Sequence, residues 1–283
     1  MTKYLFVLLI LLIPTFGLMF NYGIYTMHDF HVFRQFEFDK CVQQFTFPCR
    51  WAPDSGLGYG EPIFNFYGQF PYWIGQIFKL LRFSIIDSTK INFALTIVAS
   101  ALGMFLLARK FWGTRGALIS AVFYAYAPYR AVDVWVRGAL NEAMAFVFFP
   151  IILWSIKEFI DTRHARYLFW LILAFTGLVI THNLSVLMFL PFLGIWFGYW
   201  FAKSHNKSVH IVYDLISAGL VTCLLSAFYI LPVVFEGSLV TVAQTTSGYY
   251  DFRLHYTTLK QLFLSFFWGY GGSTWGPNDT MSF

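Results

Sequence analysis

Three groups of residues have the types and spacing to do chemistry. Asp29 is flanked by His28 and His31. A carboxylate pressed against a membrane interface loses solvation, holds its proton more tightly, and suits the role of a base. An Asp in that place is also a favoured helix N-cap. Arg130, Asp133, Arg137 and Glu142 form the second group, in Tyr-Arg-Ala-Val-Asp-Val-Trp-Val-Arg-Gly-Ala-Leu-Asn-Glu. If that stretch is helical, Arg130, Asp133 and Arg137 share a face. Guanidinium forks so spaced match a phosphate or pyrophosphate; the same charges also suit a salt-bridge network that braces a loop. Glu142 stands inside apolar sequence, where an ionisable residue is a functional candidate. His182, followed by Asn183, is the third, and a lone interfacial His is hydrogen-bonded structure more often than a ligand or base. None of these histidines has HExxH or CxxC spacing, so no divalent-cation site is read from them and the cofactor stays unassigned.

The scaffold for these residues is set by composition. Of 283 residues, 58% are hydrophobic and only 12% charged, and the mean hydropathy is +0.60. A soluble domain carries about a quarter charged residues, so the chain is an all-α polytopic membrane protein in contact with lipid. Its net charge of +5 then concerns topology and not nucleic acid. No Walker loop, Rossmann fingerprint or Gly-x-Ser-x-Gly elbow occurs, and any nucleotide-driven activity would need another chain.

Apolar runs at 4–20, 91–108, 118–126, 139–156, 168–180, 184–201 and 211–235 predict about seven spans. The first, after Lys3, lacks a small-residue cleavage site and reads as an uncleaved anchor. Residues 63–83 are interrupted by Asn65, Gln69, Pro71, Gln76, Lys79 and Arg82, and read as amphipathic sequence in the outer interface. With 63–83 interfacial, the basic clusters at 109–115, 157–166 and 203–207 fall on the side of the N-terminus, which the positive-inside bias makes cytoplasmic. The same count brings Asp29, 130–142, His182-Asn183 and Glu236 to the outer face. Cys41 and Cys49 share the first outer loop and are candidates to pair in an oxidising compartment, whereas Cys223 reads as packing within a span.

The first outer loop, 26–90, mixes charge, Gly and Pro with aromatics, as backbone outside hydrocarbon does. It contains His28-Asp29, Phe47-Pro48-x-Arg50-Trp51, Gly58-Tyr59-Gly60-x-Pro62-x-Phe64-x-Phe66-Tyr67 and Pro71-Tyr72. Further along come Tyr126-Ala127-Pro128-Tyr129-Arg130, Asp133-x-x-Val136-Arg137-Gly138-Ala139-x-x-Glu142, Thr181-His182-Asn183 and Phe267-Trp268-Gly269-Tyr270-Gly271. These motifs resemble the bacterial and archaeal membrane family labelled 6-pyruvoyl-tetrahydropterin synthase-related, although nothing here looks like a soluble pterin enzyme. That family is similar in layout to the GT-C superfamily of lipid-dependent glycosyltransferases.

The resemblance implies a GT-C-like helical bundle with a large structured first outer loop containing interfacial helices. It implies transfer of a sugar from a polyprenyl-phosphate donor to an acceptor it does not identify. Asp29 would be the general base, and Arg130, Arg137 and Arg50 would neutralise the donor phosphate. Asp133 or Glu142 would be the second acid, with His28, His31, Tyr59 and His182 lining the substrate site. Many GT-C enzymes pair two acids in the first loop, whereas this chain has Asp29 alone, which leaves metal dependence open. Two other classes compete: a transporter or lipid flippase, and a non-catalytic envelope-assembly protein. Residues 1–283 read as one transmembrane domain whose segment 236–283 closes no fold, which predicts an N-terminal piece of a longer protein.

Overall fold

The computed structural model describes residues 1–21, 30–204 and 207–240, together with the backbone of two short strands, β1 (Phe267–Trp268) and β2 (Thr280–Met281), paired in parallel. His28 and Asp29 lie outside the described residues, as does most of 236–283. The chain forms two compact units, Met1–Ile230 and Leu231–Phe283. The helical cores and the first loop belong to the Met1–Ile230 unit.

Every expected apolar run is helical. The helices are α1 (Thr2–Phe16), α5 (Ile85–Ala125), α7 (Leu140–Thr162), α8 (Ala165–Val179), α9 (Asn183–Lys203), α10 (Val209–Leu225) and α11 (Ala227–Phe235). Among the described residues, four helices are long and apolar enough to cross a membrane, or five if α10 and α11 form one bent span. This is fewer than the expected seven. The helix α8 has 15 residues, short of the roughly 20 that a span needs, and two expected spans fall in α5.

The helix α5 is a hairpin. Gly113, at φ 64° and ψ −170°, takes a conformation that a side chain would resist, and the chain reverses there. Ile97 and Ala125 line one cavity, although a straight helix would hold them about 42 Å apart. The two arms and α1 enclose a core of Leu8, Leu12, Phe93, Ile97, Phe105 and a run of alanines, Ala101, Ala108, Ala117, Ala121 and Ala125. Small residues let the helix backbones approach closely, which is how membrane helices associate where no hydrophobic drive exists between them. A second core joins α7, α8, α9 and α10 through Phe148, Ile152, Leu171, Ala174, Phe189 and Ala218.

At one end of the bundle, ion pairs hold two of the three expected basic clusters, 109–115 and 157–166, against neighbouring helices. Lys110 lies 3.1 Å from Glu158 and 3.0 Å from Asp161, and Arg163 lies 2.7 Å from Asp214. Cys223 is exposed on α10, not packed inside as expected, because the buried positions of that helix are Ile211, Ala218 and Thr222.

The first loop folds as a layer of its own, made of α2 (His31–Gln43), α3 (Ile63–Phe66) and α4 (Phe70–Leu80). At 11 residues α4 is too short to cross a membrane. Its core is Phe38, Ala52, Phe64, Tyr72 and the Cys41–Cys49 disulfide, whose Cα atoms are 5.8 Å apart. The face between α2 and α4 is polar. Gln76 donates to Asp39 (2.7 Å), Gln43 donates to the other Asp39 oxygen (2.8 Å), and Gln35 donates to Gln76 (3.3 Å). Buried amides and carboxylates that satisfy one another specify a register that apolar contact alone leaves open.

Candidate functional site

Between the arms of α5 and α7 runs a short connection, α6 (Pro128–Ala131) followed by a π-helical turn, Val132–Arg137. A π turn holds more residues than an α turn, so the expected single face is divided. Arg137 and Asp133 stay in contact at 3.4 Å. Arg130 turns inward, 2% exposed, and donates to Ser100 of α5 at 2.8 Å. Gly138, in the left-handed region at φ 62°, ends the turn and leads into α7.

Glu142 lies in the first turn of α7, where a helix N-terminus favours negative charge. Arg137 Nη1 donates to Glu142 at 2.8 Å and to the Tyr129 hydroxyl at 3.1 Å. Tyr129 in turn donates to the other Glu142 oxygen. Arg137 is thereby fixed by one nitrogen, while its side chain keeps 29% exposure. Its bracing role, one of the two readings the sequence allowed, is present in the geometry.

Asp133 is fully buried, and its Oδ2 has no partner among the described residues. Burial, seconded by the Glu142 charge and opposed by Arg137 and Arg130, pushes its carboxyl up to about 8. Burial likewise raises the Tyr129 hydroxyl and lowers the Arg130 guanidinium. His182 precedes α9, where its Nδ1 meets the Ser185 hydroxyl at 2.8 Å. Desolvation holds this imidazole below its ordinary value, and the charges of Glu142 (raising) and Arg137 (lowering) also act on it. His182 therefore belongs electrostatically to the Arg137–Glu142 pair.

His31 is fully buried. Its Nε2 accepts the Leu140 backbone N–H at 2.9 Å, so Nε2 carries no proton; Nδ1 then faces the Tyr72 hydroxyl at 2.9 Å as a donor. Both ring nitrogens are engaged, and the imidazole ties α2 to the start of α7. Arg50 donates to Asn65 at 3.3 Å within the loop layer, and Tyr59 is 89% exposed there. The structure thus gathers Arg137, Asp133, Glu142 and His182 in one place, with Arg130 beside Asp133 and His31 at the adjoining junction. His28 and Asp29 lie outside the described residues. Among those described, no three His, Cys, Asp or Glu side chains are grouped to hold a metal.

Two residues of the site carried no assigned role in the sequence. Tyr129 was visible only as part of a motif, yet it bonds both Glu142 and Arg137. Asn141 donates to the carbonyls of Gly68 and Thr181, each at 2.8 Å, joining the loop layer to the α8–α9 corner. Gly68 is glycine because a Cβ there would land on the Thr181 carbonyl oxygen.

No curated protein matches the sequence. The family model for the 6-pyruvoyl-tetrahydropterin synthase related domain, described as a membrane protein, matches residues 64–277, more than half of the chain. The match takes in Gly68, the 130–142 connection, Asn141 and His182, and with the membrane-length helices around them it identifies the chain as a member of the 6-pyruvoyl-tetrahydropterin synthase related family of membrane proteins.

Proposed function

We propose that the protein is a GT-C-type membrane glycosyltransferase, moving a sugar from a polyprenyl-phosphate donor at the face that carries Arg137 and Glu142. The observation that carries this reading is the state of Arg137. Every hydrogen bond it makes among the described residues runs through Nη1, so Nε and Nη2 remain for a ligand on a side chain that still reaches solvent. A guanidinium held in place before the ligand arrives stabilises the charge that a departing lipid phosphate develops. Glu142 would orient the acceptor, with His182 beside it, and Asp29 would take the acceptor's proton. Arg50 would share in neutralising the donor phosphate, and Tyr59 of the loop layer would line the substrate site. The 1–230 unit would be the transmembrane domain and 26–90 its outer loop.

For orientation we propose a cytoplasmic N-terminus. The ion-paired end holding Lys110, Lys157 and Arg163 supports it through the positive-inside bias. The Cys41–Cys49 disulfide supports an oxidising compartment for the loop layer.

The test uses the protein reconstituted in lipid with radiolabelled polyprenyl-phosphate sugars. Transfer or sugar release that disappears in Asp29→Asn and weakens in Arg137→Ala is expected; turnover unchanged in both removes the proposal. A transporter is favoured by one observation, the fully buried Asp133 that holds its proton near neutral pH. Uptake driven by a pH gradient in the same vesicles, without sugar transfer, would move the assignment there.

A further inference from the structure

A groove of about 420 Å³ opens in the loop layer, between the start of α2 and the turn from Ala52 to Glu61. Phe30, which caps α2, and Phe33 and Arg34 of its first turn line one side. Asp54, Ser55 and Glu61 line the other. Residues three and four apart share a helix face, which brings the two rings and the guanidinium together. The facing turn is closed by its backbone, where Ala52 and Glu61 exchange hydrogen bonds of 2.8 and 3.0 Å. A Cβ on Gly56 would stand 3.2 Å from Glu61 Oε1, so the glycine lets that carboxylate lie across the turn. Lys40 pairs with Asp54 and with the buried Glu37. Of the three charges lining the groove, Asp54 is therefore paired, which leaves Arg34 to balance Glu61. The groove adjoins the junction at the start of α7. Arg34 stacks 4.0 Å over the Tyr67 ring, and Tyr67 lies 6.3 Å from the His31 ring. His31 in turn holds Leu140, two residues before Glu142.

We propose that this groove binds the ring of a neutral carbohydrate. In the transfer reaction that carbohydrate is the acceptor, a role that rests on the glycosyltransferase reading. A pyranose has apolar C–H faces and a rim of hydroxyls. The C–H faces suit the electron-rich faces of aromatic rings, and Phe30 and Phe33 are 69% and 36% exposed. The hydroxyls donate to carboxylates in short, charge-assisted bonds, which Glu61 and Asp54 can accept, while Arg34 and Ser55 supply donors. The balance of charge selects against ions: a cation would meet Arg34, and a phosphate would meet two carboxylates. The volume is that of a small-molecule site. In the chain Phe30 directly follows Asp29, so a sugar held against Phe30 lies one residue from the proposed base. Its hydroxyl oxygen would form the glycosidic bond as the donor's sugar–phosphate bond breaks, the proton passing to Asp29 and the lipid phosphate leaving as an anion. The charged donor end stays with Arg137 and the neutral acceptor with α2.

The experiment is saturation-transfer NMR on the full chain in lipid nanodiscs, free of sugar detergents and of any lipid-linked donor. The probes are the methyl glycosides of glucose, mannose and galactose. Sorbitol, which has the hydroxyls without a ring, and lysine amide, which carries positive charge, are the comparisons. At least one glycoside is expected to bind, at least tenfold more tightly than either comparison. Phe33→Ala removes a ring and Glu61→Gln a charge, both at the surface, and each is expected to lower that affinity at least tenfold. Binding of no glycoside, equal binding of sorbitol or lysine amide, or unchanged affinity in either folded variant overturns the proposal. Asp29→Asn is expected to abolish transfer yet bind the glycoside as wild type does, so either idea can fail alone. Glycoside binding in a protein that transfers no sugar would strike the enzyme reading and leave the groove a carbohydrate site. Transfer at the wild-type rate in Phe33→Ala and Glu61→Gln would strike the groove and leave the enzyme.

Discussion

His31 accepts a hydrogen bond from the backbone N–H of Leu140 at 2.9 Å, across 109 positions of chain. The first N–H groups of a helix have no partner within it, and this one is buried. The imidazole supplies the missing acceptor while its other nitrogen is held by Tyr72. His31→Phe keeps the ring volume but leaves the Leu140 N–H orphaned, and is expected to lower stability by about 2 kcal/mol. Thermal unfolding in detergent measures this, with Asp29→Asn, a change at the neighbouring candidate base, as the comparison.

Arg137 and Glu142 should behave as one unit in a double-mutant cycle. Arg137→Ala and Glu142→Gln are each expected to destabilise, and the pair together to lose less than the sum. The coupling should be about 1–2 kcal/mol for a charge-assisted bond at a half-buried site. Additive losses would mean that the 2.8 Å contact contributes nothing in solution.

Asp133 sets a pH dependence whose sign follows from its shift. Its carboxyl is raised in the folded protein to about 8, from 3.8. Below the lower value both states hold the proton and the contribution is complete. As pH rises the unfolded chain ionises first, so stability drains away until the folded carboxyl also ionises near 8. Melting temperatures between about pH 5 and 9 should fall more steeply for wild type than for Asp133→Asn, which carries no proton to lose.

The disulfide should act locally. Cys41 and Cys49 close a loop with a sequence separation of 8, for which chain entropy gives about 2.5 kcal/mol. Paired Cys41→Ser and Cys49→Ser changes are expected to speed trypsin cleavage after Arg50 and leave cleavage at Arg163 unchanged. Equal acceleration at both sites would show that the loop layer and the bundle unfold together.

The apolar runs made the bundle legible: seven stretches of sequence became helices because hydrocarbon admits little else. The helix α2 was not legible. Its buried positions include Gln35, Glu37 and Asp39, which satisfy themselves against Gln76, Gln43 and the backbone of Asp54, so no apolar stripe marks it. The grouping of Arg137, Asp133 and Glu142 followed from their closeness in sequence. The inward turn of Arg130 did not, because a period of 3.6 cannot announce a π turn. The roles of His31 and Asn141 depend on partners far away in the chain, and local pattern carries no trace of those.

The reversal at Gly113 bears on how the protein enters the membrane. The arm 114–125 has twelve residues, about 18 Å of helix, against a hydrocarbon layer of about 30 Å. Such a segment is a poor substrate for insertion by itself, more so with Arg130, Asp133 and Arg137 following it. It becomes tolerable once Ala117 and Ala121 lie against Leu8 and Leu12 of α1 and Tyr124 has reached the Phe146 carbonyl. Biogenesis would then be partner-dependent, the arm waiting at the translocon until α7 emerges. Damage along this arm should register as inverted or degraded protein long before it registers as altered chemistry.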